Sequence, residues 1–266
     1  MNTISFMTAN YVARQVGYNM TEGWMQGDNA TNAYFRPLDT FAGRFDQYMS
    51  DAKSLGFDAV DIWIAVLNPA WATDEHIHAA QDVLAKHELR VVSLAGGFGD
   101  THEIFEKTCK LAAALRTTVL GGGTPLLASD RDYVVGKLKD YGLKLGIENH
   151  PEKNPGQLLA KIGDGGNGTI GAAVDTGWFG THSYDAAKAL EELDGHLFHV
   201  HLKDVLAPGG HDTCRYGWGC VPIENCVKTL KRIGYSGAIS VEHEPDKFDP
   251  TDDVRASAAL LRGWLA

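Results

Sequence analysis

The chain has 266 residues, 44% of them hydrophobic and 22% charged, with a formal net charge of −10. That length and composition suit one α/β barrel with a sizeable core rather than two small domains or a disordered chain. Basic residues are dispersed with no Lys/Arg-rich block, which argues against nucleic acid or an anionic membrane surface as partner.

The opening stretch, MNTISFMTANYVARQ, lacks a basic region followed by a long apolar run, so no signal peptide is expected. Nowhere do about 18 apolar residues run together, so no membrane span is expected either. A first strand is predicted at 4–9. Residues 11–39 then form a long loop carrying Tyr11, Tyr18, Trp24, Tyr34 and Phe35, of the kind that serves as a lid or binding loop. The amphipathic segment FDQYMSDAKSL leads to a second strand at 58–63. Thr73 and Asp74 open the helix EHIHAAQDVLAKH, and a third strand follows at 90–96. Asp100 with Glu103 reads as a capping box for EIFEKTCKLAAAL. The fourth strand, 117–122, ends in Gly121, Gly122 and Gly123, which would let backbone approach a ligand.

Strands at 144–149, 171–176, 198–203 and 238–243 complete the series, with a tight GDGGNG connection at 163–168 and the helix ENCVKTLKRIG before the last. Residues 204–221 form a second long, Gly-rich loop over the same end as the first. Eight alternations of strand and helix predict a single-domain (β/α)8 TIM barrel over residues 1–266. The four cysteines, Cys109, Cys214, Cys220 and Cys226, form no CxxC pair, which reads as reduced thiols in a cytoplasmic protein. Cys214 and Cys220 beside His211 are a weaker, second metal-binding candidate.

Glu148, Asp175, His201 and Glu242 each stand at the downstream end of an apolar strand. Parallel barrel strands deliver their carboxyl ends to one mouth, so the four are expected to converge there as ligands of one metal ion. Strand parity agrees. If they point inward, so do Lys144, Gly146, Gly171, Ala173, His199, Lys203, Ala238 and Ser240, while the large aliphatic residues face the helices.

Taken singly, an acid at a strand end is more often a helix cap or a salt-bridge partner than a ligand. Three carboxylates gathered without a cation would force one to stay protonated. Three oxygen donors and an imidazole suit one divalent ion, Mn²⁺ first, then Mg²⁺ and Co²⁺, with Zn²⁺ also compatible. Chelation of a carbonyl and neighbouring hydroxyl would acidify the adjoining C–H, and Glu148 and Glu242 are the natural pair to move its proton.

GIEN, VDTG, HVHLKD and VEHEP, in that order, resemble the xylose-isomerase-like barrel family of sugar isomerases and epimerases. That resemblance covers most of the chain. It implies the same four metal ligands, the two glutamates as proton carriers, a small sugar or keto-sugar substrate and a homo-oligomeric assembly. Two positions depart from the ketose 3-epimerases: Trp178 stands where DxxH has its His, and Ala207 replaces an Arg. The HxHxKD pattern is similar to inosose dehydratases, so a lyase acting on a keto-sugar or keto-inositol is the alternative. An abasic-site endonuclease and a non-catalytic sugar-binding protein are weaker readings. Expected substrate contacts are Lys203, His199, His150, Trp178, Trp63 and Arg215.

Overall fold

The computed structural model describes residues 2–266. Eight parallel strands close into a barrel: β1 (Ile4–Met7), β2 (Ala59–Trp63), β3 (Arg90–Gly97), β4 (Val119–Gly123), β5 (Lys144–Glu148), β6 (Ile170–Asp175), β7 (Leu197–Val205) and β9 (Ile239–Glu242). A ninth, two-residue strand, β8 (Thr213–Cys214), pairs antiparallel with the end of β7 outside the ring. Closure comes from β1 pairing with β9 and β6 with β7. The α/β barrel anticipated from the eightfold alternation is therefore the fold, and its helices form the outer layer.

Alternation along the strands explains the layering. Val60, Ile62, Leu145, Ile147, Val174, Val200, Leu202, Ile239 and Val241 are buried in the apolar core. The helix Leu38–Ser54 presents Phe41, Phe45, Tyr48, Met49 and Ala52 to that core, spaced three and four apart as one helical face requires. Inside the ring the side chains are small or polar. A Cβ on Gly121 would lie 3.5 Å from the Ala173 Cβ and 3.8 Å from both the His199 and His201 rings. At the base a register shift between Ala172 and Ala173 breaks the parity, and Lys144 lies over the Phe198 ring instead of inside the barrel.

Two local readings need correcting. The segment 11–39 is not an open loop. It holds 3₁₀ turns at Thr8–Tyr11 and Arg14–Val16, then a twelve-residue helix, Trp24–Phe35. Gly27, Asn29, Thr31 and Asn32 are poor helix formers and no side chain caps the N-terminus, so local sequence hides this helix. Tertiary packing holds it: a Cβ on Gly27 would sit 2.4 Å from the Val12 carbonyl oxygen. The helix His102–Ala114 is capped by Thr101, whose hydroxyl accepts from Ile104 N, and not by Asp100. Thr73 does cap its helix, with His76 as the reciprocal partner. In the loop 204–221, the buried Asp204 carboxylate accepts from the backbone N–H groups of Gly217, Gly219 and Val221, which pins the loop against the barrel.

Candidate active site

Polar clamps fix the strand ends that carry the acids. Asn149 donates to the Asp175 carbonyl (2.9 Å) and accepts from its N–H (2.8 Å), tying β5 to β6. Thr176 does the same for β6 and β7, donating to the Lys203 carbonyl and accepting from its N–H, both at 2.8 Å. Asn10 donates to the Val241 carbonyl and accepts from His243 N–H, joining β1 to β9. Each clamp satisfies backbone groups that would otherwise be buried without partners.

Above these clamps a cavity of about 570 Å³ opens at the C-terminal mouth. Glu148, His201, Lys203 and Glu242 line it. Asp175 lies fully buried beneath, and its Oδ1 accepts from Gly177 N–H (2.7 Å), so it also caps the short helix Thr176–Thr181. Its Oδ2 is 2.9 Å from Lys203 Nζ. The same ammonium is 3.0 Å from Glu242 Oε1 and 3.0 Å from Glu244 Oε2, and only the Glu244 contact is aligned as a hydrogen bond. Lys203 thus sits among three carboxylates. Burial opposes its charge, but Asp175, Glu242 and Glu244 hold its proton affinity well above the ordinary lysine range.

His201 shows the same shortage of positive charge. Its Nε2 faces Asp61 Oδ2 at 3.0 Å and its Nδ1 faces the glutamates; burial opposes a charge on the ring, but Glu242, Asp61 and Glu148 hold its proton affinity well above the ordinary histidine range. That Nδ1 is 3.3 Å from Glu242 Oε2 and 3.5 Å from Glu148 Oε1, with no aligned hydrogen bond. Lone pairs facing at this range repel unless a proton or a metal ion lies between them. Asp175 Oδ2, Glu242 Oε2 and His201 Nδ1 are all buried without a hydrogen-bond partner. Glu148, Asp175, Glu242 and Glu244 supply four carboxylates against one ammonium, that of Lys203, and one imidazole, that of His201. The donor set fits a divalent cation.

Asp61 was not singled out from the sequence. Its Oδ2 also meets His199 Nε2 (2.7 Å) and Ser240 Oγ (2.9 Å), and the two imidazoles keep its carboxyl far below the usual range despite burial. Among the described residues, Asp61, His199 and His201 form the one trio whose donor atoms all lie within 4.8 Å of one another. The four expected ligands are spread more widely, around Lys203. The trio is nevertheless a poor seat for a catalytic ion. It is sealed from solvent, and the two Nε2 atoms are already committed to Asp61 Oδ2. Asp61 is better suited to orient His201, as carboxylates commonly do behind metal-bound imidazoles.

The other expected contacts divide. Trp63, His150 and Trp178 line the cavity. Trp178 is stacked between His150 (4.0 Å between centroids) and His211 (3.6 Å). His199 does not line it; it lies a layer below, bonded to Asp61, Ser240 and Ser93, because the inward side chains of β7 alternate in height. Arg215 also stays outside, over the ring of the exposed Trp218. Cys214 and Cys220 join no metal-sized group among the described residues. Glu244, two residues past the end of β9, and Trp24, on the hidden helix, are cavity residues with no local pattern to reveal them.

Burial, reinforced by Glu244 and Asp175, pushes the Glu242 carboxyl up to about 8 against the pull of Lys203 and His201. An ion ligated by Glu242 must displace that proton. Mn²⁺ affinity is therefore expected to rise with pH from about 6 and level off above about 8, with proton release on binding. Calorimetric titrations in buffers of different ionisation enthalpy measure both; a pH-independent affinity would place the ion elsewhere.

A closed parallel barrel with an acid-rich pocket at its C-terminal mouth is the class that fold and site define. The chain belongs to the xylose isomerase-like TIM barrel family, whose model matches residues 49–264. A stretch of 137 residues is 30% identical to the uncharacterized protein MJ1311 of Methanocaldococcus jannaschii, covering 48% of this chain and 44% of that protein's length. Among solved structures, an L-ribulose 3-epimerase superposes with a TM-score of 0.72 at 17% identity, covering 100% of this chain and 95% of that one. The IOLI protein with a binding zinc atom gives 0.67 at 16% identity, covering 99% and 98%. At these identities the two structures establish the fold. No helix among the described residues is long and apolar enough to cross a membrane.

Proposed function

We propose that the protein is a divalent-metal-dependent isomerase or epimerase that moves a proton on a small sugar or keto-sugar through an enediolate. One observation carries this reading: buried Asp175 Oδ2, Glu242 Oε2 and His201 Nδ1 lack hydrogen-bond partners beneath a cavity rich in carboxylates. Glu148, Asp175, His201 and Glu242 would hold the ion, Mn²⁺ before Mg²⁺, Co²⁺ or Zn²⁺. When bound, it would supply Lewis-acid polarisation of a sugar carbonyl.

The chain's own groups do the rest. Glu148 and Glu242 reach the cavity from β5 and β9, three strands apart around the ring. From there one glutamate takes the proton and the other returns it. Lys203 sets an ammonium beside the developing oxyanion, and the Trp63 ring offers an apolar surface to sugar C–H groups. The epimerase and IOLI folds support the reading by likeness of architecture.

Incubating the protein with Mn²⁺ and free keto-sugars in D₂O should introduce deuterium at the carbon beside the carbonyl and form an isomer or epimer. Treatment with a chelator should stop both. No exchange with any of the four metals would overturn the proposal. The lyase reading is favoured by one feature: Lys203 Nζ, 3.0 Å from Glu244 Oε2, makes a second proton-carrying pair that suits a departing hydroxyl. Loss of water with an absorbing enone would decide for it.

A further inference from the structure

A second cavity, of about 650 Å³, opens beside the first and shares Gly96, Glu148 and His150 as a common wall. Each is of a size that holds one small organic ligand. The second is built over the carboxyl ends of β3 and β4, where four glycines face it: Gly96, Gly97, Gly122 and Gly123.

Two of the four are dictated by the backbone. Gly122 has φ +152°, and a Cβ there would lie 1.9 Å from the Gly96 carbonyl oxygen. Gly96 has φ +136°, and a Cβ would strike Ile64 at 2.8 Å. Their neighbours have no such reason. Gly97 and Gly123 keep backbone conformations open to any L-residue, and a Cβ on either would meet nothing within 4 Å. Neither turn geometry nor packing within the protein calls for glycine there. What the pair leaves is bare backbone walling an open space.

The rest of the wall is half apolar, with Pro125, Leu127, Ala128 and Ile147, and half polar, with Thr124, Glu148, His150 and Lys161. Its one cation, Lys161, is already ion-paired with Glu152, so nothing in this cavity calls for an anion. A flat ring with an apolar face fits the open space beside Gly97 and Gly123, next to Leu127, Ala128 and Ile147.

We infer that this second cavity is a subsite for a ring attached to the reacting sugar, so that the substrate class is a glycoside rather than a free monosaccharide. The inference rests on the proposed chemistry at Glu148 and Glu242, because the shared wall places the attached ring next to those groups. A second sugar and an aromatic aglycone both present such a face, and the test separates them.

The test is calorimetric binding to the Mn²⁺-loaded protein of two matched pairs, D-fructose with lactulose and methyl β-D-glucopyranoside with 4-nitrophenyl β-D-glucopyranoside, with wild type and with Gly123→Leu. Gly97→Leu serves as a second filling variant if the first unfolds. In at least one pair the ligand with the attached ring should bind wild type about tenfold or more tighter than its partner. Filling the cavity should remove that advantage and leave the partner's binding unchanged. Advantage for lactulose alone identifies a sugar as the attached ring; advantage for the aryl glycoside alone identifies an aromatic one. Equal binding within both pairs to wild type, or equal weakening within both pairs by the variants, would overturn the subsite. Because binding is the readout, the subsite can stand if deuterium exchange fails, and fall if exchange succeeds.

Discussion

Replacing Glu242 by Gln is expected to lower turnover by about 10³-fold or more with Mn²⁺ saturating. Positioned acid–base groups contribute roughly 10²–10⁴-fold, and this one is also an expected ligand. Gln keeps the volume of Glu and an oxygen to face Lys203 Nζ, now 3.0 Å from Oε1. It cannot take or return a proton. The barrel should stay folded, since the substitution removes one of the carboxylates crowded around Lys203. Deuterium exchange into substrate, metal affinity and thermal unfolding should be measured on the same preparation. Exchange at the wild-type rate, with Mn²⁺ bound, would remove Glu242 from the chemistry and with it the proposed mechanism.

Lys203→Met should have the largest effect on stability. The ammonium lies within 3.0 Å of Asp175, Glu242 and Glu244 together, all buried or nearly so. Removing one partner of a buried ionic group typically costs about 3–5 kcal/mol, because the remaining charge is left uncompensated. The metal-free variant should therefore unfold at markedly lower denaturant concentration than wild type. Mn²⁺ should recover much of the loss, since an ion that binds only the folded state stabilises it by mass action. Denaturant unfolding with and without Mn²⁺ makes the comparison. A variant as stable as wild type without metal would mean that the carboxylates are not charged together. A loss that Mn²⁺ does not repair would mean that the ion does not enter this carboxylate group.

The barrel was legible because its signals are local and repeated. Apolar strands such as KLGIE and GAAVD, separated by segments with apolar residues three and four apart, admit few other folds. The inward parity of Glu148, His201 and Glu242 was legible for the same reason, since period-two alternation is set by the strand itself. The helix Trp24–Phe35 was not legible. Its stability comes from packing on Val12 and Met20, residues that sequence spacing does not place beside it. The N-cap at Thr101 was missed by one position, within the ordinary ambiguity of a helix start.

Within the site, the limit of sequence reasoning was connectivity between strands. Asp61 looks like any acid within an apolar strand until β2 is seen across the ring from β7, where its carboxylate meets both imidazoles. His199 and His201 share a parity, yet one lines the cavity and the other lies a layer beneath it. Parity gives the face of a strand; it does not give depth along the barrel axis.

What the chain alone determined was an eightfold strand–helix alternation and the delivery of acids and a histidine to one end, because both follow from residue periodicity along single strands. Only the tertiary structure decided that Lys203 stands among Asp175, Glu242 and Glu244, that Asp61 backs His201, and that a second glycine-walled cavity adjoins the first. Those relations depend on which strands lie side by side and at what height, and no single stretch of sequence carries that distance information.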